Sequence, residues 1–112
     1  MAARLLSLGR TLVPTPGTPV ALTLPAALNP PSCHAWVIQA LAVNTGNVYV
    51  GLVGLNRTTL ENVLIVLPLP TTTMLPVFSA SLAHAANALG LDALRFDADQ
   101  ANNGVLVSVI VA

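Results

Sequence analysis

Asp97-Ala98-Asp99 is the only acidic cluster in this sequence. On an extended chain residues i and i+2 share a face, so the two carboxylates could hold a hard cation such as Ca2+. The plainer use of the same residues is turn chemistry, with Asp and Asn side chains accepting backbone N–H groups in the loop that runs to Gly104. Cys33-His34 offers two adjacent soft ligands. Zinc takes four, and only His84 adds another of the preferred kind, so no zinc set is complete. Neighbours on an extended chain also point to opposite faces, which argues against a Cys33–His34 catalytic pair. His84 lies among alanines, where it could tune an interface near neutral pH or simply sit on a helix.

Asn56-Arg57-Thr58 has the glycosylation acceptor spacing. However, "MAARLLSLGR" is broken by Ser7, Gly9 and Arg10 and lacks the apolar run of a secretory signal. Trp36 and Tyr49 could line a sugar site, although aromatics at strand spacing more often belong to a core. Gly46, Gly51 and Gly54 open no helix and precede no Lys, so they form no phosphate loop. No catalytic constellation stands out, and the expectation is a non-enzyme with no cofactor and no metal.

The elements around these residues are strongly apolar. Hydrophobic residues make up 54% of the 112 residues and charged residues 7%, against about 25% charged in average domains. The length fits one domain, and the hydrophobicity excludes wholesale disorder. Four Arg, no Lys and four acidic residues give a net charge of zero, which argues against nucleic acid as a partner. The prolines and polar residues leave no apolar run of about 20 residues, which argues against a membrane-spanning helix or a membrane partner. Neutral, charge-poor surfaces associate, so the apolar excess is expected to be buried against other subunits.

Prolines at 14, 16, 19, 25, 30 and 31 make residues 1–32 an extended arm with short edge strands at 11–13 and 20–24. A domain follows over 33–112. Residues 35–44 form its best strand, apolar on both faces, and Asn44–Asn47 carry the Asn/Gly chemistry of a hairpin turn into a strand at 47–53. A polar break at 55–62, a continuous apolar strand at 63–70 and a short strand at 74–78 come next. "SLAHAANALG" predicts a short helix over 82–89, stopped by Gly90. "QANNG", 100–104, then makes a turn, with Asn103-Gly104 its strongest turn dipeptide, into a last strand that aligns Val105, Val107, Val109 and Val111. The fold class expected is all-β, an antiparallel β-sandwich of jelly-roll type with the proline-rich arm and one short helix.

Two runs carry a resemblance. "NTGNVYVGLVG" resembles the "NTGxIYVGGxxV" hairpin of many small bacteriophage virion proteins. "LGLDALRFDADQANNGVLVSVIV" is similar to their closing segment, where a "DLxxIYVDAD" strand, a polar turn and a last apolar strand end the chain. The resemblance covers 36–54 and 89–111. It implies a β-sandwich or jelly-roll module that acts as capsid cement or decoration, or as part of a head fibre or tail accessory. This sequence departs from the pattern at Leu52, Val53 and Leu55, where a Ser/Gly-rich stretch is usual, and in "SLAHAANALG", where a short loop is usual.

Both departures make this copy more apolar. They favour a cement protein on the capsid surface that contacts the phage major capsid protein and copies of itself. The contacts are expected in the arm, at Leu12, Val13, Val20, Leu22 and Leu24, and on a sheet face, at Leu52, Val53 and Leu55. The alternative is a receptor- or glycan-binding virion module, for which only Trp36 and Tyr49 are available.

Overall fold

The computed structural model describes residues 4–26, 28, 31–81 and 89–111. Its regular elements are strands: β1 (Arg4–Val13), β2 (Val20–Ala21), β3 (Ser32–Cys33), β4 (Ala35–Ala40), β5 (Val48–Asn56), β6 (Glu61–Leu67), β7 (Val77–Ser81), β8 (Leu89–Gly90), β9 (Leu94–Ala98) and β10 (Asn103–Val111). They form two four-stranded sheets, ordered β1-β10-β4-β7 and β2-β9-β5-β6, and a β3-β8 ribbon. Every pairing is antiparallel.

The pairings follow one rule. β5 pairs with β6, β4 with β7, β3 with β8, β2 with β9 and β1 with β10. The chain is therefore one long antiparallel hairpin whose tip lies at residues 57–60. From the tip outward its segments fall into the second sheet, the first sheet, the separate β3-β8 ribbon, the second sheet and the first sheet. The β10–β4 and β9–β5 pairs complete the two sheets.

Alternation along the strands fills the space between the sheets. Trp36, Ile38 and Ala40 of β4 and Val105, Val107, Val109 and Val111 of β10 point inward from the first sheet. Val48, Val50, Leu67, Leu94, Phe96 and Ala98 meet them from the second, in one continuous core. Each large side chain so buried contributes about 1.5–3 kcal/mol. The opposite residues of β4 and β10, such as Val37 and Leu106, are exposed.

Several sequence expectations change. The segment 41–47 is not a hairpin turn: β4 and β5 lie in different sheets, so it is a crossover. A two-residue type I′ turn needs φ > 0 at both central residues, and none of residues 44–47 has it. The turn expected over 100–104 is present, with Asn103 N–H donating to the Gln100 carbonyl at 3.4 Å, but Asn103-Gly104 is not its centre: both residues begin β10, and the left-handed residue before them is Asn102 (φ 64°). The true hairpin tip is the stretch read as a polar break, framed by Gly54 (φ 89°), Leu60 (φ 64°) and Asn62 (φ 57°). The expected helix lies outside the described residues over 82–88, while Leu89 belongs to β8 and pairs with Cys33.

The proline-rich segment is built into the sandwich. Its β1 is a ten-residue edge strand of the first sheet and β2 an edge strand of the second, while Val13 and Leu22 enter the core. Prolines 14, 16 and 19 fall between the two strands, where no ladder N–H is needed.

Candidate functional site

The runs 36–54 and 89–111 meet in space. Gly104 N–H donates to Asn44 Oδ1 at 2.9 Å, and Asn44 Nδ2 donates to the Gly104 carbonyl at 2.9 Å. The Asn44 side chain thus pairs with a backbone much as a strand does. In return, Asn103 Oδ1 accepts the N–H groups of Thr45 and Gly46, each at 2.9 Å. Both asparagines are buried. Nearby, Asp99 N–H donates to the Asn47 carbonyl at 3.0 Å, and Asn102 N–H to the Val13 carbonyl at 2.7 Å. The junction locks the β4–β5 and β9–β10 crossovers to the end of β1.

Asp97 and Asp99 both face Arg57. Asp97 Oδ1 accepts Gly17 N–H at 2.9 Å and Ala98 N–H at 2.8 Å. Its Oδ2 lies 3.8 Å from Arg57 Nε. Asp99 Oδ1 accepts Arg57 Nη1 at 3.0 Å and the Tyr49 hydroxyl at 3.1 Å. Asp97 is almost wholly buried, and a polar cavity of about 270 Å3 lies over it between Gly17, Asn56 and Arg57. Burial, then the hydrogen bond to Asp99 and its charge, raise the Tyr49 phenol above its ordinary pKa. Arg57 comes from the hairpin tip and was not singled out with the acids in sequence. The signal was present, since it is the only Arg between Arg10 and Arg95.

The other candidates do not converge. Cys33 is buried and its thiol pKa is raised by that burial. His34 is half-buried, His84 lies outside the described residues, and no group of three or more His, Cys, Asp or Glu gathers among the described residues. Trp36 packs edge-on against Phe78 at 5.8 Å in the core, while Tyr49 stands in the other sheet against Asp99. Asn56 is exposed, and its Oδ1 caps the hairpin tip by accepting Thr58 and Thr59 N–H. An open groove of about 660 Å3 between Ala42 and residues 70–75 carries no charged side chain.

Of the expected contact residues, Leu12, Leu52 and Val53 are exposed. Val13, Leu22 and Leu55 are buried within the chain itself. Val20 and Leu24 are partly buried against the core.

A broader, nearly uncharged surface is the outer face of the first sheet. The strand registers place Arg10, Leu106, Gln39 and Val77 in one row across it. Ser7, Ser108, Val37 and Ser79 form the next, and Leu5, Ile110, Ala35 and Ser81 a third. Arg10 is the only charged residue in these rows, and Leu5, Val37, Val77 and Leu106 are exposed.

No protein-family model, curated protein or solved structure matches this chain.

Proposed function

We propose that this chain is a structural, non-enzymatic virion protein of the jelly-roll type that cements a phage head. It would do so by burying uncharged surface against the major capsid protein and against copies of itself. Jelly rolls are eight-stranded double sheets built from two interlocked Greek keys, and viral capsid domains are among their common uses. Support for that topology is the long hairpin whose segments divide between the sheets β1-β10-β4-β7 and β2-β9-β5-β6.

The observation that carries the function is the outer face of the first sheet. A solvated antiparallel sheet normally shows polar residues on its outer face. Here half of the twelve residues in the three rows are apolar, and the rest are four Ser, one Gln and a single Arg at one side, so the face is half apolar and carries one charge. Covering such a face expels water without stranding charge. At about 25 cal/mol per Å2, a few hundred Å2 of apolar area would gross several kcal/mol before association costs. Repetition over a shell multiplies the gain.

The test is addition of the purified chain to expanded capsids of its phage, read by co-sedimentation and by capsid melting temperature. Saturable binding with a raised melting temperature is expected, and Val37→Lys should abolish both. A monomeric chain that ignores capsids at micromolar concentration overturns the proposal.

A further inference from the structure

The junction between the crossovers also bears on the covalent chemistry of the chain. Asn103-Gly104 is the only Asn-Gly dipeptide in the sequence. Glycine is required there by packing, since a Cβ on residue 104 would stand 2.1 Å from the Thr11 carbonyl oxygen of β1. Glycine after asparagine is also the sequence most open to deamidation, because no side chain hinders the following amide nitrogen. The contact that demands Gly104 therefore creates the most labile asparagine in the chain.

We propose that Asn103 is a fold-gated deamidation site, protected in the native protein and converted once the chain unfolds. In the reaction the deprotonated Gly104 nitrogen attacks Asn103 Cγ. A C–N bond forms, the Cγ–Nδ2 bond breaks, and ammonia leaves. Water then opens the five-membered succinimide at either carbonyl to give aspartate or isoaspartate. Water enters, ammonia departs, and nothing is oxidised or reduced.

The native structure opposes each requirement. The nucleophile is engaged, because Gly104 N–H donates to Asn44 Oδ1 at 2.9 Å. The carboxamide is held away, because Asn103 Oδ1 accepts Thr45 and Gly46 N–H at 2.9 Å. Both residues begin β10, whose extended backbone keeps the next nitrogen from turning onto Cγ. Both are buried, so the water and base that the reaction needs are excluded. Unfolding releases all of these constraints together.

The isoaspartate product cannot restore the junction. It inserts a methylene into the main chain at the start of β10 and moves Gly104 out of register with Asn44 and Leu12. Aspartate keeps an oxygen that can accept Thr45 and Gly46 N–H and another facing the Thr45 hydroxyl, so that product can re-form the contacts. Isoaspartate formation thus makes unfolding one-way for the chains that carry it, whatever the place of action.

The experiment incubates the full chain at mildly alkaline pH, native or in guanidinium chloride, and maps peptides over 96–111 for the mass gain of OH replacing NH2. Opening of a buried strand end draws on most of the global stability, so native conversion should be more than about a hundredfold slower than denatured conversion. After return to buffer, isoaspartate at 103 should be depleted from the refolded pool. Comparable native and denatured rates, or equal refolding of isoaspartate chains, overturn the proposal. Asn44→Ala should speed native conversion by freeing Gly104 N–H. Should that variant not fold, Gly104→Ala compared with the parent chain in denaturant still decides: unchanged conversion there rules out the succinimide route.

Discussion

Asn44 and Asn103 each bind the backbone of the other's loop: Asn44 pairs with both main-chain groups of Gly104, and Asn103 accepts from Thr45 and Gly46. The groups that Asn44 binds are buried, whereas those that Asn103 binds lie nearer the surface. Asn44→Ala strands the buried Gly104 N–H and should cost about 1–3 kcal/mol. Asn103→Ala frees two N–H groups that reach solvent more easily and should cost less. Because both act on one junction, a double-mutant cycle by denaturant unfolding should show coupling of about 0.5–3 kcal/mol. Strict additivity would mean that the two loops are held independently.

Two glycines of the junction, Gly104 and Gly46, and Gly51 within β5 separate by what a Cβ would meet. At Gly104 it meets the Thr11 carbonyl at 2.1 Å, and at Gly51 the Asn62 carbonyl at 2.1 Å. Both obstacles are backbone, so Gly104→Ala and Gly51→Ala should lose more than about 4 kcal/mol or fail to fold. At Gly46 the nearest atom is Gln100 Cγ at 3.0 Å, on an exposed side chain that can move. Gly46→Ala should therefore cost under about 1 kcal/mol. Urea midpoints for the three variants test the ranking, and a severe loss in Gly46→Ala would contradict the contact geometry.

Alternation made the residue set of each face of β4 and β10 legible in the sequence, because period two is a local property, but not which face is core. Val105, Val107, Val109 and Val111 share one face as read, and the structure turns that face inward. The topology was not legible. Asn and Gly near 44–47 and 102–104 suit a tight turn, yet here they serve contacts across about 60 residues of chain. A hairpin and a crossover use the same residue types, and only the partner distinguishes them. The pairing of Asp97 and Asp99 with Arg57 was hidden for the same reason, since Arg57 reaches them from the hairpin tip. The contact residues were read from hydrophobicity alone, which cannot separate Leu55, 5% exposed, from Val53, 60% exposed.

The two aspartates should differ in importance. Asp97 is buried and accepts Gly17 and Ala98 N–H, so Asp97→Ala leaves two backbone donors without partners. A loss of about 2–4 kcal/mol is expected. The Asp99–Arg57 pair is about a third exposed on both sides, where ion pairs are worth about 0–1 kcal/mol. Asp99→Ala should stay near that range, and thermal unfolding of both variants checks the order.

Alkaline pH should weaken the fold. Burial raises the Cys33 thiol above its ordinary 9.0. Burial and then Asp99 raise the Tyr49 phenol above its ordinary 10.0. Between its ordinary value and its raised native value, each group holds its proton in the native chain but loses it in the unfolded chain. The unfolded state then binds fewer protons, so stability falls as pH rises. The contribution is complete below about pH 9, where both states are protonated, and declines above it. Cys33→Ala should remove the earlier part of the decline in urea titrations. A stability that stays flat well past pH 10 would remove the basis for both assignments.

Surface and core variants should divide the contact candidates into those that serve association and those that serve folding. Val37 is 45% exposed and Val53 60% exposed. A lysine at either place can extend its stem along the sheet and keep its charge in water, so Val37→Lys and Val53→Lys should unfold within about 0.5 kcal/mol of the parent chain. If these surfaces meet other subunits, the same charges would be trapped against an apolar partner, and capsid binding or self-association should drop at least tenfold, about 1.4 kcal/mol. Leu55, buried beside Gly51, should behave in the opposite way. Leu55→Ala removes packing within the chain and should cost about 2–5 kcal/mol of stability, with association changed only as far as folding is. Paired sedimentation and unfolding measurements on the three variants separate the two classes. Lysine variants that bind as the parent does would shift the contact surface to other exposed residues, such as Val43 and Met74 beside the open groove.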